Sequence, residues 1–354
     1  MNKLPDRIRI KDIARLANVS VGTVDRVLHG RNGVSEASKK RVEEILKQLN
    51  YQPNMYASAL ASNKKYNFIC LFPKHLEGEY WTAVEKGIHD AATAYSDFNI
   101  AVRIDHYDPY DYHSFVEAGK TILLESPDGV VVAPTIPQYT IGFINGLQLL
   151  DIPYIYIDSN IKDTAPLAFF GQNSHQSGYF AARMLMLLAQ NEENIVIFRK
   201  MHEGVVGSNQ QESREVGFRR YMKEHHPLCK IWELDLRAES NDEDNKMLDD
   251  FFNTHPTINN GITFNSKVYI VGEYLQKNNK KSFKLIGYDL LERNVACLKE
   301  GTVSFLIAQQ PELQGFNGVK SLCDYLIFKK NITCTNYMPI DLLTVENIEY
   351  YHRK

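Results

Sequence analysis

Two hydrophobic rhythms divide the chain. Over the first sixty residues, apolar side chains recur every three to four positions. Ile10, Ile13, Ala14 and Ala17 fall at i, i+3, i+4 and i+7 and share one helical face. Asn18 interrupts that run. Ser20 offers a hydroxyl to cap a second helix. Val21, Val24 and Leu28 line one side of that helix, with Val27 at the edge, and Gly30 and Gly33 end it. Ser35 caps a third helix, with Val42, Ile45, Leu46 and Leu49 on one stripe. Pro53 stops it, having no N–H and a ring that clashes with the preceding turn. Asn54 caps a fourth, alanine-rich segment at 55–62, too short to be stable alone.

From Tyr66 onward the apolar residues come in short, nearly continuous runs: 67–72, 99–104, 129–133, 153–157, 167–170, 194–198, 230–234, 261–264, 284–288 and 303–308. Helical stretches lie between most of them, among them 80–96, 111–125, 175–190, 210–225, 266–278 and 311–328. Continuous β-branched and aromatic strands alternating with helices predict an α/β architecture of parallel sheets covered on both faces. The expected organisation is an all-α headpiece at 1–53, a hinge at 54–65 and an α/β body at 66–354.

Charge sharpens that division. The net charge of −3 splits into +6 on residues 1–64 and −9 on the rest. A basic N-terminal segment on an acidic body suggests a nucleic-acid module, although a solvated charged surface has the same composition. Two short helices backed by a third describe a helix-turn-helix. The second is short, and its outer face is free of large apolar groups, which suits a major groove about 12 Å wide. Three-helix units also serve as plain interaction modules. Cys70, Cys229, Cys297, Cys323 and Cys334 are scattered, with no C-x-x-C pair, which favours reduced thiols in a cytoplasmic protein. Residues 1–15 are charged and lack the apolar core of a signal peptide. No apolar run approaches the roughly 20 residues that cross a membrane.

The segments IKDIARLANVSVGTVDRVLHG and VSEASKKRVEEILKQLNYQPNMYASALAS closely resemble, without gaps over about residues 9–62, the LacI-type (lactose-repressor-like) bacterial transcription regulators. The resemblance implies a homodimer whose second helices enter successive major grooves of a pseudo-palindromic DNA operator. Its hinge helices would order in the minor groove. Val21, Gly22, Asp25 and Arg26 match base-facing positions, and Ser20, Thr23 and Asn54 backbone-facing ones. Ala57 and Leu60 belong to the hinge helix, and His29 is a phosphate or turn residue. Arg26 can take guanine O6 and N7 together. Asp25 can accept from a cytosine amine, or pair with a nearby Arg or Lys of the headpiece. Leu60 matches a wedge that partly unstacks the central base step; the alternative is a docking contact with its own core. Gly22 departs from the polar residue frequent there. The chain closes on NIEYYHRK without a leucine heptad, so a dimer rather than a tetramer is expected.

The body resembles ribose-type sugar-binding proteins of the two-lobed type I periplasmic-binding-protein fold over most of 66–330. The resemblance rests on EYWTAVEKGI, IPYIYIDSN, SREVGF, TFNSKVY, LIGYD and IAQQPELQGFNGVKSL. It implies lobe 1 at about 66–162 and 310–329, and lobe 2 at about 163–309 and 330–354. Crossings would fall near 161–166, after Gln309 and near 329–332. Ligand would sit between the lobes at the strand ends. Tyr80 and Trp81 match aromatics that stack on a sugar ring. Asp158, Asn265, Asp289 and Gln309 match polar positions able to bond adjacent hydroxyls. Ser159 replaces an arginine usual in the sugar binders. Glu212 takes the place of another, with Arg214 two positions on, so an arginine-built anchor is in doubt.

HYDPYDYH (106–113) gathers histidines and aspartates, which read as a polar loop rather than a metal site. GVVGSNQ (204–210) lacks the lysine of a phosphate cradle. No nucleophile elbow, zincin or Walker pattern occurs, and nothing calls for a cofactor or catalysis. The expected protein is therefore a cytoplasmic, sequence-specific DNA-binding regulator, a repressor, responding to a sugar-like or polyol effector. The alternatives are a solute-binding protein without DNA function and an α/β enzyme.

Overall fold

The computed structural model describes residues 9–28, 31–49, 51, 55–60, 62–189, 194–202, 205, 206, 208–237 and 241–351. The chain falls into two compact units, Met1–Asn63 and Lys64–Lys354.

In the first unit, helices α1 (Ile10–Ala17), α2 (Val21–Leu28) and α3 (Glu36–Gln48) precede a short α4 (Met55–Leu60). Ile13, Ala14, Ala17, Val24 and Val42 form its buried core, drawn from the three stripes the periodicity marks out. Asn18 ends α1 in the left-handed conformation that asparagine tolerates, at φ 49. Ser20 accepts from the Thr23 N–H at 3.1 Å, and Ser35 from the Ser38 N–H at 3.3 Å. These two caps fix where α2 and α3 begin. The stop assigned to Gly30, the cap assigned to Asn54, and Pro53 and His29 lie outside the described residues.

The second unit is two-lobed. It runs β1 (Tyr66–Pro73), α5 (Tyr80–Ala94), β2 (Ile100–Tyr107), α6 (Tyr112–Glu125), β3 (Gly129–Val132), α7 (Pro137–Leu149), β4 (Tyr154–Ile157), β5 (Ala168–Gly171), α8 (Ser174–Leu188) and β6 (Asn194–His202). It continues with β7 (Val205–Val206), α9 (Asn209–His225), β8 (Lys230–Leu236), α10 (Asn241–Thr254), β9 (Asn260–Thr263), α11 (Tyr269–Lys277), β10 (Lys284–Tyr288), α12 (Glu292–Lys299) and β11 (Phe305–Ala308). The last elements are α13 (Pro311–Leu326), β12 (Thr335–Tyr337), β13 (Asp341–Leu343) and α14 (Ile348–Tyr351). The first sheet has the order β12-β5-β4-β3-β1-β2 and is parallel throughout. In the second, β8, β6, β9, β10 and β11 are parallel neighbours, and β13 closes the far edge antiparallel to β11. Strands β3, β4 and β5 are buried along their whole length, which is why their sequences show no alternation.

The lobe boundaries differ from the sequence expectation. Strand β5 pairs with β4, and β12 pairs with β5, so 168–171 and 335–337 belong to the first sheet. The chain crosses between Gly171 and Ser174, at Gln309–Gln310, and between Tyr337 and Asp341, not near 161–166 and 329–332. An apolar run declares that it is a strand, but not which sheet it joins, and three-residue strands carry no periodicity at all.

One side chain ties the crossings together. Gln172 lies in the first. Its amide nitrogen donates to the carbonyl of Ala308 (2.8 Å) at the second and to that of Pro339 (2.7 Å) at the third. Its amide oxygen accepts from Ser177 (3.1 Å).

Each lobe also contains a helix pair in unusually close contact. A Cβ on Gly87 of α5 would lie 1.9 Å from the Glu312 carbonyl oxygen of α13, and one on Gly315 of α13 2.1 Å from that of Val84. In the other lobe, a Cβ on Gly178 of α8 would lie 1.8 Å from the Arg214 carbonyl oxygen of α9, and one on Gly217 1.9 Å from that of His175. Glycine is required at these seams because backbone faces backbone.

Candidate functional site

The strand ends of the two lobes enclose a cleft of about 1050 Å³. Its deepest wall is a chain of buried polar groups. Arg214, on α9, is 2 % exposed. It donates through Nη1 to the Phe264 carbonyl (2.8 Å) and through Nη2 to Gln309 Oε1, and its guanidinium lies 4.0 Å over the Tyr288 ring. Gln309 Nε2 donates to Asp289 Oδ1 (2.7 Å). Gln314 Nε2 donates to the Gln309 carbonyl (2.8 Å), and its Oε1 accepts from the Asp158 N–H (3.0 Å).

Asp158 follows β4 and Asp289 follows β10, in matching places in the two lobes. Both turn the chain through the left-handed region, at φ 68 and 69. Aspartate is among the few residues that enter that region readily. Both are buried and lie within electrostatic reach of Arg214. Burial pushes both carboxyls up to about 6, although Arg214 pulls in the opposite direction.

Burial, followed by the two aspartates, also holds the Tyr80 phenol well above its usual range. The hydroxyl of Tyr80 and Nε of Arg214 are buried without completing a hydrogen bond to protein.

Because the folded-state carboxyls titrate near 6, the folded chain holds protons that the unfolded chain has already released. The stability these groups provide is present below about pH 4 and is lost as pH rises through 6. Asp289→Asn keeps an acceptor for Gln309 and removes a charge. We expect it to stabilise the ligand-free unit by on the order of 2 kcal/mol at pH 7.5, with little effect at pH 4. Urea unfolding at the two pH values measures this; an unchanged pH profile would refute it.

Tyr80, Trp81, Asp158, Arg214, Asn265, Asp289 and Gln309 all line the cleft. Trp81 is held from behind, stacked on Phe72 at 5.7 Å and meeting Tyr80 edge-on at 5.1 Å. Asn265 donates to Gln211 Oε1 (3.1 Å). Glu212 is the exception: it is exposed and lies off the cleft lining. Two positions on a helix are about 200° apart, so Glu212 and Arg214 cannot face the same way. Arg214, two positions from the place where the resemblance expects an arginine, is the one of the pair that reaches the cleft.

Gln210, Gln211, Glu79, Lys267, Lys200 and Thr135 line the cleft without having been expected there. Gln210, Gln211 and Arg214 form a buried polar stripe on α9, and their i, i+1, i+4 spacing was the available signal. Contacts span the cleft. Lys267 pairs with Glu79 at 2.8 Å, the Asn209 N–H donates to the Thr135 carbonyl at 3.1 Å, and Gln210 donates to the Asp158 carbonyl. Burial raises the Glu79 carboxyl, but the Lys267 ammonium and the Leu76 N–H lower it on balance.

In the first unit, Ser20, Val21, Gly22 and Arg26 on or beside α2 are exposed, and Thr23 is half-buried, its Oγ1 2.9 Å from Ser20 Oγ. Asp25 pairs with Arg31 at 3.4 Å, the internal partner anticipated as an alternative to a base. A Cβ on Gly22 would meet nothing closer than 3.9 Å, so packing does not demand glycine there. Leu60, on α4, is 55 % exposed. No described helix is long and apolar enough to cross a membrane.

Residues 9–54 match the family described as bacterial regulatory proteins, lacI family, and residues 69–330 match the periplasmic binding protein domain. ExuR of Bacillus subtilis, named as an HTH-type transcriptional repressor, is 27% identical over 223 residues. That alignment takes in 62% of this chain and 61% of ExuR, so the chain spans about six tenths of the relative's length. A crystal structure from Bacteroides fragilis, assigned to the LacI transcriptional regulators, is 72% identical, with a TM-score of 0.79. It covers 82% of this chain and is itself matched over 100% of its length. The glucose-galactose-binding protein GanP from Geobacillus stearothermophilus shares the fold at 18% identity, with a TM-score of 0.70 over 81% of this chain and 99% of its own.

Proposed function

We propose, for a chain that belongs to the lacI family of bacterial regulatory proteins, the role of a ligand-responsive, sequence-specific transcriptional repressor. The observation that carries this reading is one chain combining an exposed α2 face with a buried polar cleft. The protein acts as a cytoplasmic homodimer on a pseudo-palindromic DNA operator. It is not an enzyme. Arg26 and Val21 read base edges, Ser20 and Thr23 position the backbone, and Leu60 inserts at the central step. The Asp25–Arg31 pair supports Asp25 as an internal partner rather than a base reader.

The effector is a neutral or cationic polyol. The two buried aspartates, Asn265, Gln309 and the buried Tyr80 hydroxyl form a set of donors and acceptors matched to adjacent hydroxyls, and Trp81 offers its face to a ring. Effector closes the cleft and changes the pairing of lobes between the two copies. The short α4 helices, six residues each, are marginal alone and gain stability from a partner surface, which pairing in the dimer supplies. Coupling of roughly 1–3 kcal/mol is enough to switch operator occupancy.

Gel-shift titration of the full-length protein against operator candidates tests the reading. Binding should weaken steeply with salt. Leu60→Ala should cost operator affinity on the order of a few kcal/mol while leaving the headpiece's thermal melt unchanged. Absence of salt-dependent duplex binding would leave a solute-binding protein; unchanged affinity in the variant would remove the wedge.

A further inference from the structure

At the rim of the cleft, three side chains from three elements of the first lobe converge. His75 stands in the loop after β1, Glu85 in the second turn of α5, and His106 near the end of β2. The parallel pairing of β1 with β2 sets His106 beside Phe72, close to where that loop leaves the sheet. One donor atom from each residue lies within 4.8 Å of the others. His75 Nε2 is 3.6 Å from Glu85 Oε1, His106 Nε2 is 2.5 Å from the same oxygen, and the imidazole centroids are 5.5 Å apart.

The protonation pattern is informative. His75 Nδ1 lies 3.1 Å from the Pro73 carbonyl oxygen, which can only accept, so Nδ1 carries a proton. In the neutral ring, Nε2 then presents a lone pair toward the Glu85 carboxylate. In that tautomer the imidazole nitrogen and the carboxylate oxygen are directed at one another, as two ligands of a single ion would be. A backbone carbonyl that fixes the tautomer and aims the free nitrogen inward is also the arrangement that orients metal-ligating histidines.

We propose that His75, Glu85 and His106 bind a divalent transition-metal ion of the zinc class. Two imidazoles with one carboxylate favour such an ion over calcium or magnesium, which prefer oxygen donors alone. Donor-to-metal distances of about 2.0–2.2 Å place the donors of a tetrahedral site roughly 3.3–3.6 Å apart. The existing separations, from 2.5 Å up to no more than 4.8 Å, bracket that range. All three donors belong to the first lobe, so the site does not require a closed cleft. The three residues line the cleft, and the remaining coordination positions are available to water or to a ligand oxygen. The proposal does not depend on the DNA-binding reading.

The test is calorimetric titration of EDTA-stripped full-length protein with zinc chloride, with cobalt(II) absorption as a probe of coordination. A single saturable ion per chain is expected, with visible bands for bound cobalt and a rise in melting temperature on adding zinc. His75→Ala and Glu85→Gln should each weaken binding by on the order of tenfold or more. His106→Gln retains a hydrogen-bond donor toward Glu85, so its loss of binding separates metal ligation from the ion pair. His113→Ala, outside the cluster, should bind like the unaltered protein. Melting temperatures without metal check that the variants fold. No saturable binding, or equal binding by all variants, overturns the site.

Discussion

Arg214→Met is expected to destabilise the two-lobed unit by roughly 3–5 kcal/mol at pH 7.5, the range for stripping one partner from a buried charge network. The guanidinium is 2 % exposed and joins the Phe264 carbonyl to Gln309, which in turn holds Asp289. Methionine fills much of the volume but supplies neither bond nor charge. Asp158 and Asp289 already titrate near 6 and, without the cation that pulls them down, climb further. They can relieve the loss only by taking up protons. The deficit should therefore shrink in acid, where unfolding by urea at pH 5 ought to show a clearly smaller penalty than at pH 7.5. Arg214→Lys should not rescue, since an ammonium cannot reproduce a planar fork bonded in two directions over the Tyr288 ring. An equal deficit at both pH values, or full rescue by lysine, would contradict this account.

The other large effect is steric. Gly178→Ala drives a methyl to within 1.8 Å of the Arg214 carbonyl oxygen and 2.7 Å of its Cα. The obstacle is backbone, so no rotamer change relieves it, and α8 and α9 must separate. We expect a loss of about 3 kcal/mol, at the upper end of ordinary overpacking. Weakened effector binding should accompany it, because the segment displaced is the one that carries Arg214. Gly142→Ala is the control with the opposite sign. Gly142 lies inside α7, and a Cβ there meets nothing within 4 Å. That substitution should stabilise by about 0.5–1 kcal/mol through helix propensity alone. Thermal melts of the two variants side by side decide the point; similar behaviour in both would mean that the seam is not sterically tight.

Much of this is legible in the sequence, and the physical reason is consistent. The headpiece helices announce themselves because each stripe repeats at helical spacing and the second and third start at hydroxyl caps, Ser20 and Ser35. The ten principal strands are apolar runs of the right length. What stays hidden depends on phase or on pairing. Glu212 and Arg214 were both expected to face the ligand, since alignment does not count degrees around a helix. Ala168–Gly171 seemed to belong to the second lobe, since hydrogen-bond partners are not written into an apolar run. HYDPYDYH reads as a polar loop, and His106 gains its neighbours His75 and Glu85 from a loop and a helix at no motif spacing. Gln210 and Gln211 resemble any solvated glutamines until α9 turns them inward.

The Gln172 amide reaches both of the other crossings, so the three connections between the lobes meet within the span of a single side chain. A junction that narrow is a fulcrum. A displacement too small to break either amide bond grows with distance from it along each lobe. Leverage of this kind lets a molecule the size of a sugar, moving side chains by fractions of an ångström, be registered at a surface it never touches.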